Sequence, residues 1–326
     1  MDQQKNLIKA EAKRLGFSFI GFTEPRQTLH FNNYLEWIQQ RKYAGMDYLA
    51  KPYVMQGRRQ PESLLEGART VIVAGIHYLP HIQLGEITSG NDFDRGWIAA
   101  YGSLADYHKT IKEMFRSLSK SINELVGTEV KSKIFIDSGP VMEKDFARQA
   151  GLGWIGKNSL LITPRFGSYC LLGCLFLDLE LPPDSPLEED ICGECEICIQ
   201  ACPTHCINPD RTINAEQCIS YQTIENQNEI PQGVGEKMGH WVFGCDICQI
   251  VCPMNRKLVE KKPLGSNPPQ IPMISQKVDL SQIGTISANE FKERFFETPL
   301  ACIGLEIFQR NVLNALKNQN NKDQIS

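Results

Sequence analysis

The stretch from Cys192 to Pro203, CGECEICIQACP, decides how this sequence is interpreted. Its cysteines follow the spacing C-x2-C-x2-C-x3-C-P, which is typical of chains that hold [4Fe–4S] clusters through thiolates. In that motif the first three cysteines ligate one cluster, and the cysteine before the proline ligates another. The run therefore predicts a second cysteine-rich segment elsewhere in the chain.

That second segment runs from Cys245 to Pro253 and reads CDICQIVCP. The position in register with the leading cysteine of the first run is Val242, so one ligand must come from elsewhere, and Cys218 is the nearest candidate. The first cluster is then predicted to take Cys192, Cys195, Cys198 and Cys252, and the second Cys202, Cys218, Cys245 and Cys248. No role is predicted for Cys170, Cys174, Cys206 and Cys302.

Zinc is the alternative to iron and sulfide, because C-x2-C pairs also form tetrahedral zinc sites. Three cysteines within seven residues, and the Cys-Pro ending of both runs, favour clusters. Two such clusters indicate that the protein transfers single electrons, but they do not identify a substrate. A simple electron-transfer protein and a zinc-containing nucleic-acid module therefore stay open as alternatives.

Composition restricts the class of protein further. The chain has 326 residues, of which 42% are hydrophobic and 22% charged, which is ordinary globular usage. A formal net charge of −4 excludes a strongly basic nucleic-acid binder but leaves room for a local basic patch. The longest uncharged apolar run, residues 170–177, is too short to cross a bilayer, and the polar N-terminus does not resemble a signal peptide. We expect a cytoplasmic protein with no membrane partner.

Hydrophobic periodicity predicts alternating helices and strands, and hence an α+β protein. Helices are predicted at residues 3–15, 106–126 and 141–151, the last with Pro140 at its start, and again from Ser287, where Ser287 and Glu290 form a capping box. Strands are predicted at residues 70–78, 133–137, 160–163 and 169–179. Three segments follow: an α/β domain at 1–185, a ferredoxin-like module with both clusters at 186–262, and a linker with a short helical C-terminus at 263–326.

Several segments resemble the epoxyqueuosine reductases, and the resemblance extends from the N-terminal helix to about Leu316. They are DSGPV at 137–141, GLGWIGKNSLLI at 151–162, FGS at 166–168, CISY at 218–221 and FGCDIC at 243–248, together with the first cysteine run. GWIGKNSLLI and FGCDICQIVCP are specific to the family, whereas the first cysteine run alone is not.

The resemblance implies an oxidoreductase that converts epoxyqueuosine to queuosine at the wobble position of tRNAs with a GUN anticodon, the last step of queuosine synthesis. It also implies two [4Fe–4S] clusters, a base-off cobalamin and an external electron donor. The N-terminal domain would be shaped like that of the cobalamin-dependent reductive dehalogenases, and the protein would be a monomer. A cobalamin and iron–sulfur reductase of a small molecule is the alternative.

The resemblance places the catalytic acid at Asp137, where a raised pKa would suit protonation of the departing epoxide oxygen. The residues implied to bind cobalamin are Arg58, Trp97, Asp137, Ser138, Asn158, Ser159, Ser220, Cys245 and Asp246. The alternative for Asp137 and Ser138 is that they cap the helix after Pro140. His108 is expected on a solvated helix face.

Because the protein is acidic overall, it would have to bind tRNA through local groups of basic residues. The candidates are Arg256, Lys257, Lys261 and Lys262 in one group, Lys51, Arg58 and Arg59 in another, and Lys131 and Lys133 in a third. Any single pair is equally well explained as ordinary solvated charge. Tyr101 or Tyr221 would stack on the wobble base. The segment 298–304 lacks the arginines expected there from the family.

Overall fold

The computed structural model describes residues 2–80, 94–187, 190–261 and 274–323. The strands are β1 (Phe19–Thr23), β2 (Thr70–His77), β3 (Arg95–Ile98), β4 (Ser132–Phe135), β5 (Trp154–Ile155), β6 (Leu161–Ile162), β7 (Cys170–Leu177), β8 (Trp241–Phe243) and β9 (Lys277–Asp279). The helices are α1 (Asp2–Arg14), α2 (Phe31–Gln39), α3 (Pro52–Arg59), α4 (Tyr107–Val126), α5 (Glu143–Gln149), α6 (Ile197–Ala201), α7 (Ile219–Ile224), α8 (Gln232–Gly235), α9 (Ile247–Ile250), α10 (Pro253–Lys261), α11 (Leu280–Ile283), α12 (Ala288–Phe295) and α13 (Gly304–Asp323).

The main sheet has the strand order β1-β2-β7-β4, and all of its neighbouring strands are antiparallel. Every residue of β2 is buried. Alternate residues of β2 serve two cores, because side chains on a strand point to opposite faces. Ile72 and Ala74 join the core under α1 and α4, whereas Val71 and Val73 join the core under α5. The sheet is therefore covered by helices on both faces.

A second, three-stranded sheet has the order β8-β3-β9. β3 pairs parallel to β8 and antiparallel to β9. Helices α12 and α13 pack on it through an aromatic core that includes Phe291, Phe295 and Phe308. This sheet combines strands from all three predicted segments, so the segments are interleaved in space. The division of the sequence into those segments stays a prediction.

Most of the predicted elements are confirmed. α4 begins after Asp106, whose side chain accepts a hydrogen bond from the His108 amide, and it ends at the left-handed Gly127. The capping box of Ser287 and Glu290 is present at the start of α12. The linker expected from Pro263 to Pro272 lies outside the described residues.

The helix after Pro140 begins two residues later than predicted, at Glu143. Pro140 instead packs on α3, where a Cβ added to Gly57 would lie 2.8 Å from the Pro140 Cβ and 3.0 Å from its carbonyl oxygen. β4 ends at Phe135. Asp137 therefore lies in the loop between β4 and α5, and this loop packs against α3 through Pro140.

Among the described residues, no helix has both the length and the apolar character that a bilayer crossing requires.

Candidate active site and cluster ligands

The four cysteines predicted to hold the first cluster lie together. Burial raises the pKa of the Cys198 thiol to about 11, and the nearby thiols of Cys252, Cys192 and Cys195 add to that rise. Cys192 and Cys252 also contact the same small apolar cluster, which is centred on Trp154 and Ile162. The cysteine before the second proline therefore reaches the first run, as the interlocking motif predicts.

The second predicted set is also assembled. Burial raises the pKa of Cys248, with further contributions from Cys218 and Cys202. Burial raises the pKa of Cys245 in the same way, with contributions from Cys248 and Cys218. Val242, where the motif would have a cysteine, is completely buried in β8 and packs into the C-terminal core. The chain therefore presents Cys218, at the start of α7, to this group instead.

Cys206 is a fifth thiol in this second group, and no role was predicted for it. Its sulfur lies 3.5 Å from the sulfur of Cys202. Hydrogen bonding to Cys202 and to Cys218 raises the pKa of the Cys206 thiol. The thiol is 3% exposed, so it is a buried hydrogen-bond donor to sulfurs that would ligate a cluster.

Asp137 has a left-handed backbone conformation with φ of 57°, which is strained for a residue with a side chain. Its Oδ2 accepts a hydrogen bond of 2.9 Å from the Tyr107 hydroxyl and lies 3.3 Å from Nε2 of His108. α5 is preceded by Met142, and no side chain caps it. The helix-capping interpretation of Asp137 and Ser138 is therefore wrong.

One expectation about this group is corrected by the structure, and one contact was missed. The hydrogen bond from His108 lowers the pKa of Asp137, whereas a raised pKa was expected. His108 lies on α4 with 42% of its side chain exposed, as expected, and in addition its Nε2 lies 3.3 Å from Oδ2 of Asp137, a contact that was not predicted. The pairing depends on a contact between α4 and a distant loop. No local sequence pattern could have identified it.

Further ionisable groups surround Asp137 that sequence reasoning missed. Burial raises the pKa of Glu143 to about 8, and its Oε1 has no hydrogen-bond partner. Burial also raises the pKa of Tyr48 to about 12, with contributions from Glu225 and Asp137. The position of Glu143, six residues after Asp137 at the start of a helix, was the available signal.

Three of the residues predicted to bind cobalamin carry buried polar atoms without a hydrogen-bond partner. These atoms are Nε of Arg58, Nε1 of Trp97 and Nδ2 of Asn158. Trp97 is 7% exposed and Asn158 is 2% exposed. Because an unsatisfied buried donor is costly, such atoms are expected where a polar ligand binds. The residues present therefore fit a large polar cofactor.

The other residues predicted to bind cobalamin have no unpartnered buried atom that would indicate a bound cofactor. Ser138 is exposed beside Asp137, and Ser220 lies in the first turn of α7. Ser159 donates a hydrogen bond of 2.7 Å to the Arg211 carbonyl. Cys245 packs against the apolar cluster that contains Trp97. Asp246 is buried, and its oxygens accept hydrogen bonds from the Ala100 amide at 2.6 Å and the Gln249 side chain at 3.0 Å.

The basic groups proposed for tRNA are dispersed. Lys131 pairs with Glu66 at 3.2 Å, and Lys133 lies over the Phe135 ring. The guanidinium of Arg58 lies 4.5 Å from the centre of the Tyr34 ring. Arg256 and Lys257 are exposed on α10. The side chains of Lys261 and Lys262 lie outside the described residues.

Sequence profiles of two families match the chain. The profile described as "4Fe-4S double cluster binding domain" matches residues 191–255 and so covers all eight predicted cluster ligands and Cys206. This match favours iron–sulfur clusters over zinc. The profile described as "Epoxyqueuosine reductase QueG, DUF1730" matches residues 58–138, from Arg58 to the residue after Asp137.

An epoxyqueuosine reductase from Cyclobacterium marinum is 40% identical over 257 residues, which are 78% of this chain and 80% of the relative. The chain belongs to the epoxyqueuosine reductase family. The solved epoxyqueuosine reductase of Streptococcus thermophilus superimposes with a TM-score of 0.84 at 32% identity and covers 98% of this chain and 83% of its own.

A second solved epoxyqueuosine reductase is bound to an epoxyqueuosine-modified tRNA-Tyr stem loop. It has a TM-score of 0.84 at 27% identity and covers 98% of this chain and 83% of its own. The mixed α/β fold of this chain, with its double-cluster region, is therefore the fold of the epoxyqueuosine reductases.

Proposed function

We propose that this protein reduces epoxyqueuosine to queuosine at the wobble position of tRNAs with a GUN anticodon. It would use cobalamin and electrons delivered through two [4Fe–4S] clusters. Family membership supports the reaction, and the tRNA stem loop bound to a relative supports the substrate. The observation that carries the proposal is the set of three buried donors without a partner, on Arg58, Trp97 and Asn158, of which Trp97 shares an apolar cluster with the proposed cluster ligand Cys245.

The proposed ligands are those that group together. Cys192, Cys195, Cys198 and Cys252 would hold one cluster, and Cys202, Cys218, Cys245 and Cys248 the other. Cys198 is within electrostatic reach of Cys248, so the two sets adjoin. Cys245 shares an apolar cluster with Trp97. We therefore infer that electrons from an external donor enter at the first cluster and leave from the second toward the pocket.

Cobalamin, when bound, supplies a strongly reducing cobalt for the epoxide carbon. Arg58, Trp97 and Asn158 would hold it through their unpartnered donors. Ser138, Ser159, Ser220, Cys245 and Asp246 are the remaining proposed contacts. Both carboxylate oxygens of Asp246 already accept hydrogen bonds, so it would act by fixing the Ala100 backbone.

Asp137 would protonate the departing oxygen. An alkoxide is a poor leaving group, so a positioned proton donor accelerates opening of the epoxide. Tyr107 and His108 both bind Oδ2, and Oδ1 accepts no hydrogen bond from any described residue. The free oxygen, on a side chain that is 65% exposed, is the one that can face the substrate.

The remaining parts of the proposal concern organisation. Residues 1–185 would form the cobalamin-binding domain with a shape like that of reductive dehalogenases, 186–262 the ferredoxin-like module and 263–326 the linker and C-terminal helices. A tRNA substrate implies a cytoplasmic protein, and a monomer suffices because the described chain itself supplies the acid and both cysteine sets. Arg256 and Lys257 are exposed and would contact phosphates.

The test is direct. The protein is reconstituted without oxygen with iron, sulfide, cobalamin and a strong reductant, then incubated with epoxyqueuosine-containing tRNA, and the nucleosides are analysed by mass spectrometry. We expect loss of one oxygen from the modified base, and only when cobalamin is present. Asp137→Asn keeps the size of the side chain but removes the acid, so it should bind both cofactors and lose at least about 10²-fold in kcat.

A matched variant separates the acid from general damage. Asp178→Asn changes a carboxyl immediately after the end of β7, outside the proposed site, and should leave kcat unchanged. A wild-type protein that holds both clusters and cobalamin but converts no substrate would contradict the proposed function.

A further inference from the structure

Asp137 belongs to a chain of three side chains that runs along the start of α4. Oδ1 of Asp106 lies 3.1 Å from Nδ1 of His108, and Nε2 of His108 lies 3.3 Å from Oδ2 of Asp137. The Asp106 oxygen also accepts a hydrogen bond of 3.0 Å from the His108 amide, and the ring of Tyr107 stacks on the imidazole with centroids 4.1 Å apart. The imidazole is therefore held in one orientation between two carboxyl groups.

The two flanking carboxyl groups determine which atoms of His108 and Asp137 can carry a proton. An ionised carboxylate only accepts hydrogen bonds, so two flanking carboxylates require an N–H on both ring nitrogens. The alternative with the same number of protons is a neutral imidazole that accepts a hydrogen bond from protonated Asp137. In both forms the His108–Asp137 pair holds one mobile proton. That proton passes from one form to the other by a movement along a single hydrogen bond.

The proposed reaction consumes more than one proton for each epoxide that is reduced. Removal of an epoxide oxygen breaks two C–O bonds, forms one C=C bond and releases water. It consumes two electrons, which the external donor supplies, and two protons. A carboxylic acid carries one proton, so Asp137 alone cannot complete a turnover and must be reprotonated while the substrate is in the pocket.

We propose that His108 is the positioning residue that reprotonates Asp137, and that Asp106 orients it. This inference rests on the proposed function. The shared proton passes from Nε2 of His108 to Asp137 and from Asp137 to the departing oxygen, which leaves a carboxylate and a neutral imidazole. His108 then takes up a second proton from solvent, since 42% of its side chain is exposed. His108 passes this proton to the carboxylate of Asp137, which donates it to the oxygen, and the oxygen leaves as water.

The surrounding charges are compatible with this role. On α4 itself, Nζ of Lys109 lies 4.0 Å from Asp106 and neutralises part of its charge. The other ionisable groups within electrostatic reach of Asp137, from other elements, are Tyr48, Tyr101, Glu143, Lys144, Glu225 and Cys302. The hydrogen bond to Asp137 raises the pKa of His108 by more than burial lowers it. The imidazole therefore stays protonated to a higher pH than an ordinary histidine.

The first experiment uses the reconstituted holoenzyme. His108→Gln keeps an amide N–H near the position of Nε2 but cannot cycle a proton. We expect kcat to fall on the order of 10²-fold while KM for the tRNA stays the same. In the wild type kcat should decline as the pH rises through the pKa of His108, and this limb should be absent in His108→Gln. Added imidazole should restore part of the rate of His108→Ala.

Lys112→Gln is the matched control. It lies one helical turn after His108 on α4 and is exposed, so the same change of side chain there should leave kcat and its pH profile unaltered. A His108→Gln enzyme with wild-type kcat and a wild-type pH profile would overturn the inference.

A second measurement does not depend on turnover. The holoprotein is labelled with ¹³C at the histidine Cε1 positions, and the His108 signal, assigned by its loss in His108→Gln, is titrated by NMR. We expect a pKa above that of an ordinary histidine in the wild type, and a return to the ordinary value in Asp137→Asn. Equal values in both proteins would refute the shared proton. If the wild type converts no substrate, the proposed function fails, while the titration still decides whether the pair exists.

Discussion

The indole Nε1 of Trp154 lies 3.4 Å from the sulfur of Cys192. Trp154 is 2% exposed and belongs to β5, within the segment GWIGKNSLLI, whereas Cys192 opens the first cysteine run. A buried N–H thus points at a sulfur that would ligate the first cluster. Hydrogen bonds to ligand sulfurs are among the features that set cluster potentials. Trp154 would therefore influence the proposed first cluster through this one hydrogen bond.

Trp154→Phe should lower the reduction potential of the first cluster. The hydrogen bond stabilises the more negative, reduced cluster, so its loss favours the oxidised form. A shift of tens of millivolts is expected, since about 60 mV corresponds to a tenfold change in a one-electron equilibrium. Redox titration followed by electron paramagnetic resonance measures this shift. The second cluster is the internal control, and an equal shift of both clusters would argue against a local effect.

Cys206→Ala should keep both clusters, because Cys206 is assigned as a hydrogen-bond donor to Cys202 and Cys218 rather than as a ligand. Cys218→Ala should lose the second cluster, and iron should fall from about eight atoms per chain to about four. Iron and sulfide analysis of the anaerobic protein measures both outcomes. Cys302→Ala, an exposed thiol outside both sets, is the control. A loss of half the iron in Cys206→Ala would make Cys206 the fourth ligand.

The grouping of the cysteines into two sets could be predicted from the sequence, because a ligand spacing is local and each run requires the other. β2 was equally predictable, since TVIVAGIH is continuously apolar. β1 was not, because Gly21 interrupts its short run. A Cβ at Gly21 would lie 2.6 Å from the Ala150 carbonyl, so this glycine is required by packing at the end of α5. That requirement is tertiary and has no sequence signature.

The candidate active site was predictable in part for the same reason. Asp137 was proposed only through the resemblance to the family, and its contact with His108 depends on how the start of α4 meets the loop after β4. The hydrogen bond from His108 lowers the pKa of Asp137, and this direction could not be predicted from the position of Asp137 in the sequence. The interleaved second sheet has the same origin, because β3 pairs with strands that follow it by more than a hundred residues.

Asp184 supports a test of stability. It lies in the proline-rich stretch after the main sheet, where it accepts hydrogen bonds from the Phe22 amide at 3.0 Å and from Lys9 at 3.0 Å and pairs with Lys5 at 2.8 Å. Burial alone would raise the pKa of this carboxyl, but the bonds from Lys5 and Lys9 lower it. Its contribution is therefore present above the pKa of the unfolded chain and is lost as the pH falls through the folded-state pKa.

Asp184→Asn should lower Tm at pH 7 by a few degrees, which corresponds to about 1 kcal/mol for a domain of this size. The difference from the wild type should close in acid, where the wild-type carboxyl is protonated as well. Thermal unfolding followed by circular dichroism across pH 3–7 measures the difference. Asp178→Asn, six residues earlier, changes a carboxyl for which the described residues provide no side-chain hydrogen bond, and it should have little effect. A difference that persists unchanged in acid would mean that charge is not the cause.

Gly57→Ala should impair activity while leaving both clusters in place. The added methyl would lie 2.8 Å from Pro140 and would displace the loop that carries Asp137 away from α3. Because alanine favours helix by about 1 kcal/mol over glycine, a loss of activity could not be ascribed to a weaker helix. Turnover of epoxyqueuosine-containing tRNA, with iron content measured alongside, checks the outcome. Gly233→Ala in α8, where a Cβ meets nothing within 4 Å, is the matched control and should behave as the wild type. Equal kcat in both variants would show that Pro140 can move without disturbing Asp137.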